Sequence, residues 1–479
     1  MKQLRTVLPY LRPYWIAQAA GLVLVVVSNG FSIAGPELLG RAIDALERPD
    51  ATVRTVLVYA GLVVLVALLG GAARYGMREL LNGLSRRVET DLRDDFFDHL
   101  LRLDASFYGG IRTGDLMSRA TNDVQAVRQA VGPAVMYLVN TVVMTVFALA
   151  LMIRISPYLT GIALVPMLAL PPLVLLFGRT IHARFERIQE HFGRISTMVQ
   201  ENLAGMRIIR AYRQEGPQER EFERLNADYL DKNMALARTE GVFRPLLTFL
   251  AGLGMVVVLW IGGLQVIAGA ITVGQFVAFG FYLNMLTWPM VAFGWVVNLL
   301  QRGAASMGRI NEIMTTEPRI ALSPRPTRLE TVRGEITFSD VSFRYPGTER
   351  LVLENVSFRV PAGTTVALVG PTGSGKSTVV ALLARLYDPT SGTIRIDGVP
   401  LTELAIDQLR AAIGLVPQDT FLFSESIADN IALGLPAGED AAERIEEAAS
   451  IAQLADAITG LPHGYETRLG ERGINLSGG

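Results

Sequence analysis

Residues 370–378 read GPTGSGKST and fit the pattern G-x-x-x-x-G-K-[ST]. Such a run binds phosphate. Its glycines let backbone N–H groups close around phosphate oxygens, and the helix that follows adds a dipole favourable to negative charge. Gly370, Pro371, Thr372, Gly373, Ser374 and Gly375 would form the cradle, Lys376 would reach the β and γ phosphates, Ser377 would ligate Mg²⁺, and Thr378 completes the run. Lys2, Lys232 and Lys376 are the only lysines among 44 basic residues. A chain that otherwise uses arginine keeps lysine where a compact ammonium on a flexible stem is needed.

A phosphate loop has to leave a strand and open a helix. Here "TTVALV" precedes it and "STVVALLARLY" follows. From Glu335 onward other short β-rich runs ("ITFSDVSFRY", "TIRIDG", "IGLVPQ") alternate with helical patterns, which predicts a soluble α/β P-loop domain over 335–479. Pro318, Pro324 and Pro326 mark a linker over 315–334, with the domain boundary near Arg333.

The first 314 residues have another texture. Half of the whole chain is apolar and 19% is charged, against roughly 25% in soluble proteins. The mean hydropathy of +0.34 agrees with a membrane protein. Six stretches without internal charge are long enough to cross a bilayer: 15–35, 56–73, 131–153, 155–178, 245–271 and 273–300. The last two form one uncharged run, divided at "AGAITVG". Residues 74–130 and 179–244 carry apolar residues at helical spacing and predict two long helical arms that continue the spans and turn back.

Arginine sets the orientation. Lys2, Arg5 and Arg12 precede the first span and both arms are arginine-rich, whereas the opposite side has only Arg41, Arg48, Arg54 and Arg154. The amino terminus, the arms and the α/β domain are therefore expected in the cytoplasm. No cleavage pattern precedes the first apolar run, so it reads as a retained helix.

A net charge of −1 gives no field for nucleic acid, and the absence of cysteine removes disulfides and thiolate chemistry. His99, His182, His191 and His463 lack metal-ligand spacing. A membrane-anchored GTPase would need an N-K-x-D stretch, which none of the three lysines provides.

With these elements in place, the whole chain resembles the ATP-binding cassette (ABC) exporters: a six-helix membrane domain with two arms, a linker and a nucleotide-binding domain. The resemblance implies ATP and Mg²⁺ as cofactors. It gives Tyr345 in "FRYPG" the adenine-stacking role, and Gln418 in "GLVPQDTFLF" contact with Mg²⁺ and the attacking water. "TRLGERG" (467–473) looks like the exporter segment before the signature, with Glu471 facing the arms. "LSGG" (476–479) matches the signature itself, and Ser477, Gly478 and Gly479 would meet the γ-phosphate held by another subunit. Residues 107–124 resemble the first coupling segment, and residues 201–215 the helix returning after the second.

One bundle with one cassette implies a half-transporter that needs a second copy or a different partner chain. Hydrophobic or amphipathic cargo is expected, whether drug, lipid or peptide, in the plasma (inner) membrane of a prokaryote. A nucleotide-binding regulatory or degenerate subunit of a heterodimer is the alternative. The spans hold uncharged polar residues (Gln18, Asn29, Asn140, Gln265, Asn284) but no charge for an ionic substrate deep in the membrane. Trp260, Trp288, Trp295, Phe279 and Phe281 are free to line a cavity or to face lipid.

In the family a glutamine follows the signature, then a helix and a buried strand ending in Asp-Glu, and later a switch histidine. None of these is in the sequence. The expectation is a fragment of a longer gene product, with an unpaired, apolar sheet face near the phosphate loop. As written, without the catalytic glutamate, it should not turn over ATP.

Overall fold

The computed structural model describes residues 2–49, 51–418, 421–435 and 441–470. Packing divides the chain between Arg319 and Ile320 into a helical unit and an α/β unit.

Six helices of the helical unit are long and apolar enough to cross a bilayer: α1 Trp15–Leu46, α2 Val53–Arg102, α3 Thr113–Ile155, α4 Pro157–Ala204, α5 Glu215–Ile267 and α6 Val273–Met314. In hydrocarbon only a helix or a closed barrel satisfies every backbone group, so uncharged runs of this length become helices. The 50 residues of α2 extend about 75 Å, against roughly 30 Å of hydrocarbon. The spans thus run on into the arms, with α4 interrupted once, by a turn at Ala169. Within α3 and α5 the hydrogen-bond ladder widens to π-type turns at Arg119–Asp123, Ala130–Ala134 and Val258–Gly262.

Local chemistry ends each span. Ser156 separates α3 from α4: its Oγ accepts the Leu159 N–H at 3.2 Å, and Pro157 follows at the first helical position. The uncharged run of 245–300 divides where "AGAITVG" predicts. Gly269 takes φ +71°, and the Thr272 hydroxyl and Gln275 side chain cap each other's backbone N–H groups at 3.0 Å. α5 nevertheless stops at Ile267 rather than 271, because the turn begins before Gly269.

The packing has a readable register. α1 and α2 run antiparallel, with Tyr14 Oη donating to Asp91 at 3.0 Å and Arg74 donating to Ser32 Oγ at 2.8 Å. Between these points Gly21 admits the Leu81 side chain, which a Cβ would meet at 2.6 Å. α1 and α6 touch backbone to backbone at Gly40 and Gly274, where Asp44 accepts the Gly274 N–H and the Thr272 hydroxyl, both at 2.7 Å. At the other end of α6, Asn311 donates to Gln3 and Thr6 of the short helical piece Lys2–Val7, at 3.3 and 3.0 Å. Phe279, Tyr282, Leu283 and Leu286 of α6 are buried with Met152, Leu159 and Met167 in the largest core cluster.

The α/β unit contains a four-stranded antiparallel sheet of β1 Ile336–Phe343, β2 Leu353–Val360, β3 Ser391–Ile396 and β4 Val399–Pro400, in the order β2-β1-β3-β4. Ile336 stands opposite both Val360 and Ile396, and Phe338 stacks on Phe358 at 4.5 Å. β1 and β3 fall where the sequence predicts strands; β2, "LENVSFRV", was not expected.

Two expected strands differ. "TTVALV" and "IGLVPQ" belong to no strand, and Val369 and Val416 are 94% and 91% exposed. A buried strand needs neighbours for its N–H and C=O groups, and the four strands of the sheet pair only with one another. The expected apolar sheet face near the phosphate loop is therefore not formed, and Val366 and Leu368 are exposed side chains of an unpaired run.

The proline-marked linker is bound to this unit along its second half. Thr327 exchanges backbone hydrogen bonds with Glu403 (2.7 Å) and Ala405 (3.0 Å), and Leu329 does so with the Gln408 side chain. At the predicted boundary, the Asp397 carboxylate accepts the N–H groups of Arg333 (2.7 Å), Gly334 (3.3 Å) and Glu335 (2.9 Å). Asp397 and Gly398 form the two-residue turn between β3 and β4, with φ of +49° and +81°. Burial pushes the Asp397 carboxyl up, but the three N–H donors outweigh it and hold its pKa below the ordinary value.

Its stabilisation is therefore complete above the unfolded value of about 3.9 and is lost as pH falls through the folded value. Asp397→Asn keeps a residue tolerant of the left-handed turn. It should lower stability by about 1 kcal/mol near neutrality and by progressively less in acid, as read by thermal unfolding across pH. A gap independent of pH would contradict the charge argument.

Candidate nucleotide-binding site

Residues 370–375 lead from an unpaired run into helix α7, Lys376–Leu383. Two glycines make the turn possible, since Gly373 and Gly375 adopt φ of +81° and +88°. At Gly375 a Cβ would also stand 2.7 Å from Leu353 Cδ2 and 3.1 Å from the Val352 carbonyl. At Gly373 nothing lies within 4 Å of that position, so the loop is open there.

Lys376 begins α7 and folds back over the loop. Its Nζ donates to the carbonyls of Gly370 (2.9 Å) and Pro371 (2.8 Å) and lies 3.4 Å from Ser374 Oγ. Ser377 is exposed beside it, and the first N–H groups of α7 have no intrahelical acceptor. An ammonium, a row of free amides and a hydroxyl, with no carboxylate bonded to Lys376, fit a polyphosphate and its divalent cation. A second ordinary side chain at Gly375 would close the turn.

Tyr345 is brought to the same place. Its hydroxyl lies 3.0 Å from Thr378 Oγ1, and its ring stands edge-on to Phe343 and Tyr387, with centroids 5.0 and 5.4 Å away. Gln418 is exposed at the end of the unpaired run 413–418, and no hydrogen bond joins it to the loop among the described residues. Glu471, Ser477, Gly478 and Gly479 lie outside the described residues.

In the arms, residues 201–215 prove to be the tip itself. α4 ends at Ala204, a short helix Met206–Ala211 crosses the tip, and α5 begins only at Glu215. The small residues Ala204 and Gly205 let the chain turn there. In the first arm Asp123 is buried against α6, accepting from Ser306 Oγ at 2.8 Å and from Arg309 Nε at 2.9 Å. Ser306 and Arg309 are three residues apart and so share a helix face; that spacing was a usable signal.

The membrane half contains a cavity of about 330 Å³ walled by α1, α2, α3 and α6. Asn29 donates to Asn140 across it at 2.9 Å, and Arg74, Arg78 and Trp288 line it. The aromatic residues divide accordingly. Phe279 is core, Trp295 lies edge-on to Tyr137 at 5.1 Å, and Trp260 is 70% exposed. Phe281 lines a second cavity, of about 780 Å³, between α5 and α6. That Arg74 and Arg78 line a wall was not legible beforehand, because an arginine after an apolar run reads as the end of a span.

Two family models match the chain. One described as "ABC transporter transmembrane region" covers residues 19–290, and one described as "ABC transporter" covers residues 353–479. The "Probable multidrug resistance ABC transporter ATP-binding/permease protein YheI" of Bacillus subtilis is 37% identical over 473 residues, 98% of this chain and 80% of the relative. The "Multidrug resistance-like ATP-binding protein MdlA" of Escherichia coli is also 37% identical over 473 residues, 98% of this chain and 79% of that protein.

Proposed function

We infer that this chain, which belongs to the ABC transporter family, is a half-transporter whose dimer exports hydrophobic or amphipathic compounds, driven by ATP. The observation that carries this reading is Lys376 folded over a glycine loop, in one polypeptide with six bilayer-length helices. The multidrug names of the two relatives support the cargo class. Their bacterial origin and the arginine-rich arms support an inner membrane with the nucleotide-binding unit in the cytoplasm.

ATP with Mg²⁺, when bound, supplies the phosphoanhydride whose hydrolysis powers the cycle. Lys376 offsets charge on the β and γ phosphates, and Ser377 and Gln418 are the protein's candidate Mg²⁺ ligands. Tyr345 offers a ring face to adenine. Ser477, Gly478 and Gly479 would complete the site of the partner chain, so two chains, identical or different, are required. The arms would carry cassette motion to the spans as a two-state switch.

The test is ATP-dependent uptake of fluorescent drugs and lipids into inverted membrane vesicles bearing the gene product. Uptake that needs ATP and stops in Lys376→Ala supports export. Nucleotide binding with no uptake of any compound, and no hydrolysis, would rule it out in favour of a regulatory subunit.

A further inference from the structure

Among the described residues, Arg385 is the bulkiest side chain that is fully buried, and its backbone takes φ of +47°. Both features are unfavourable by themselves. A charge taken out of water needs compensation, and a residue with a Cβ is strained in the left-handed region. Strain of this kind persists where it serves a task.

The partners of Arg385 indicate the task. Its Nε donates to Asp388 Oδ1 at 3.0 Å, its Nη2 donates to the carbonyl of Ala321 at 2.9 Å, and its Nη1 is buried without a partner. Packing alone would be served by an apolar side chain of similar volume. A guanidinium fork fixed at one end by Asp388 and set on a linker carbonyl at the other is an anchor.

The anchor belongs to the phosphate loop. Arg385 lies two residues past the end of α7, about 12 Å of rigid helix whose first residue, Lys376, folds over that loop. Arg410 Nη2 holds the Arg385 carbonyl at 3.2 Å, so the helix end is fixed as well.

The tether it holds is short. Thr316 is still bonded to α6, its N–H donating to the Ile313 carbonyl and its hydroxyl to the Glu312 carbonyl, both at 2.8 Å. Only residues 317–320 separate Thr316 from Ala321, and Pro318 stiffens them. Fully extended, that stretch reaches about 18 Å. The next hydrogen bond along the linker to the α/β unit is at Thr327. Without Arg385, residues 321–326 would become slack and add about 20 Å.

We propose that Arg385 is a positioning residue for the transport cycle. It keeps the linker taut, so that displacement of the phosphate-loop helix on ATP binding is delivered through residues 317–320 to α6. This path is covalent and separate from the arms. The proposal rests on the ATP-driven reading and gives nucleotide a second route by which to bias the spans.

The chain has no cysteine, so Gln301→Cys, at an exposed position of α6, provides a single reporter. The rate at which a maleimide labels it, with and without MgATP, reads the state of α6 in the purified protein in nanodiscs. R385Q removes the anchor; a Gly-Ser-Gly-Ser insertion after Glu317 keeps the anchor and lengthens the tether. Each should reduce the effect of ATP on the labelling rate about fivefold or more, while trinitrophenyl-ATP still binds within about threefold of its affinity for the parent. The two changes together should do no more than either alone. A residue that only stabilised the α/β unit would not be mimicked by an insertion outside that unit. R385K keeps a cation against Asp388 but loses the fork that also reaches Ala321, and it serves as the anchor variant where R385Q does not reach the membrane.

An undiminished ATP effect in the insertion variant or in the anchor variant overturns the proposal. So do additive losses in the double variant, and so does a parent protein whose labelling ATP leaves unchanged. Export fails separately. ATP-dependent uptake with an undiminished labelling response in both variants ends this proposal and keeps export. Loss of the response in both variants, without uptake of any compound by the parent, does the reverse.

Discussion

In a form of the protein that carries the catalytic glutamate, Lys376→Ala is expected to lower ATP hydrolysis and transport by about 10²–10³-fold, the usual cost of removing one preorganised donor from a charge-developing site. Lys376 is the only lysine in the α/β unit, and its Nζ is already held over the loop by the carbonyls of Gly370 and Pro371. No other ammonium can replace it. Alanine is the best helix former, so α7 should persist. The left-handed turns at Gly373 and Gly375 are untouched. The variant should therefore reach the membrane in normal amount and fail only in turnover. Lys376→Arg should fail as well, because a planar guanidinium does not replace a point charge on a flexible stem. Hydrolysis and membrane abundance measured together check this. Turnover at the wild-type rate in Lys376→Ala would remove the nucleotide assignment.

Gly274→Val is the substitution expected to damage the fold most. A Cβ at Gly274 would sit 1.9 Å from the Gly40 carbonyl oxygen and 2.6 Å from Asp44 Cγ, and both neighbours are fixed. The Gly40 oxygen belongs to helix backbone, and the Asp44 side chain is bonded to Gly274 N and to Thr272. Relief requires α1 and α6 to separate, which breaks those bonds and opens the core beside Phe279 and Tyr282. We expect a loss of about 3 kcal/mol or more, at the upper end of overpacking effects. Gly263→Ala is the matched control, since nothing lies within 4 Å of its Cβ position. Size-exclusion thermostability in detergent should separate the two variants sharply. A Gly274→Val protein as stable as the control would mean that α1 and α6 do not meet as described.

Much of the candidate site was legible because its signals are local. The run 370–378 specifies a turn into a helix by its own glycines, and α7 begins at Lys376, one residue before the expected start, and stops at Leu383 rather than Tyr387. The six helices follow from uncharged length, and the division between α5 and α6 follows from Gly269 and the Thr272–Gln275 cap. What failed to be legible depends on partners distant in sequence. "TTVALV" has the composition of a strand, but a strand is made by its neighbours, and it pairs with none of the four. β2 was readable after all: Val356, Phe358 and Val360 alternate at period two. The bond from Arg74 to Ser32, which sets the register of α2 on α1, joins positions 42 residues apart and could be read from neither. Tyr345 is a different case, since its sequence position gives no hint of the Thr378 hydroxyl that meets it.

The two attachments of α6 have a mechanical consequence. One lies at Gly274, against Gly40 and Asp44; the other lies at Asn311, against Gln3 and Thr6. Helices pinned near both ends cannot shear past each other, because a slip of one turn would break both pins at once. The amino-terminal segment and α6 are therefore a single strut, and any opening of the bundle must turn this strut as a rigid piece about seams elsewhere. Cross-linking cysteines placed at Thr6 and Asn311 should leave such a machine free to cycle.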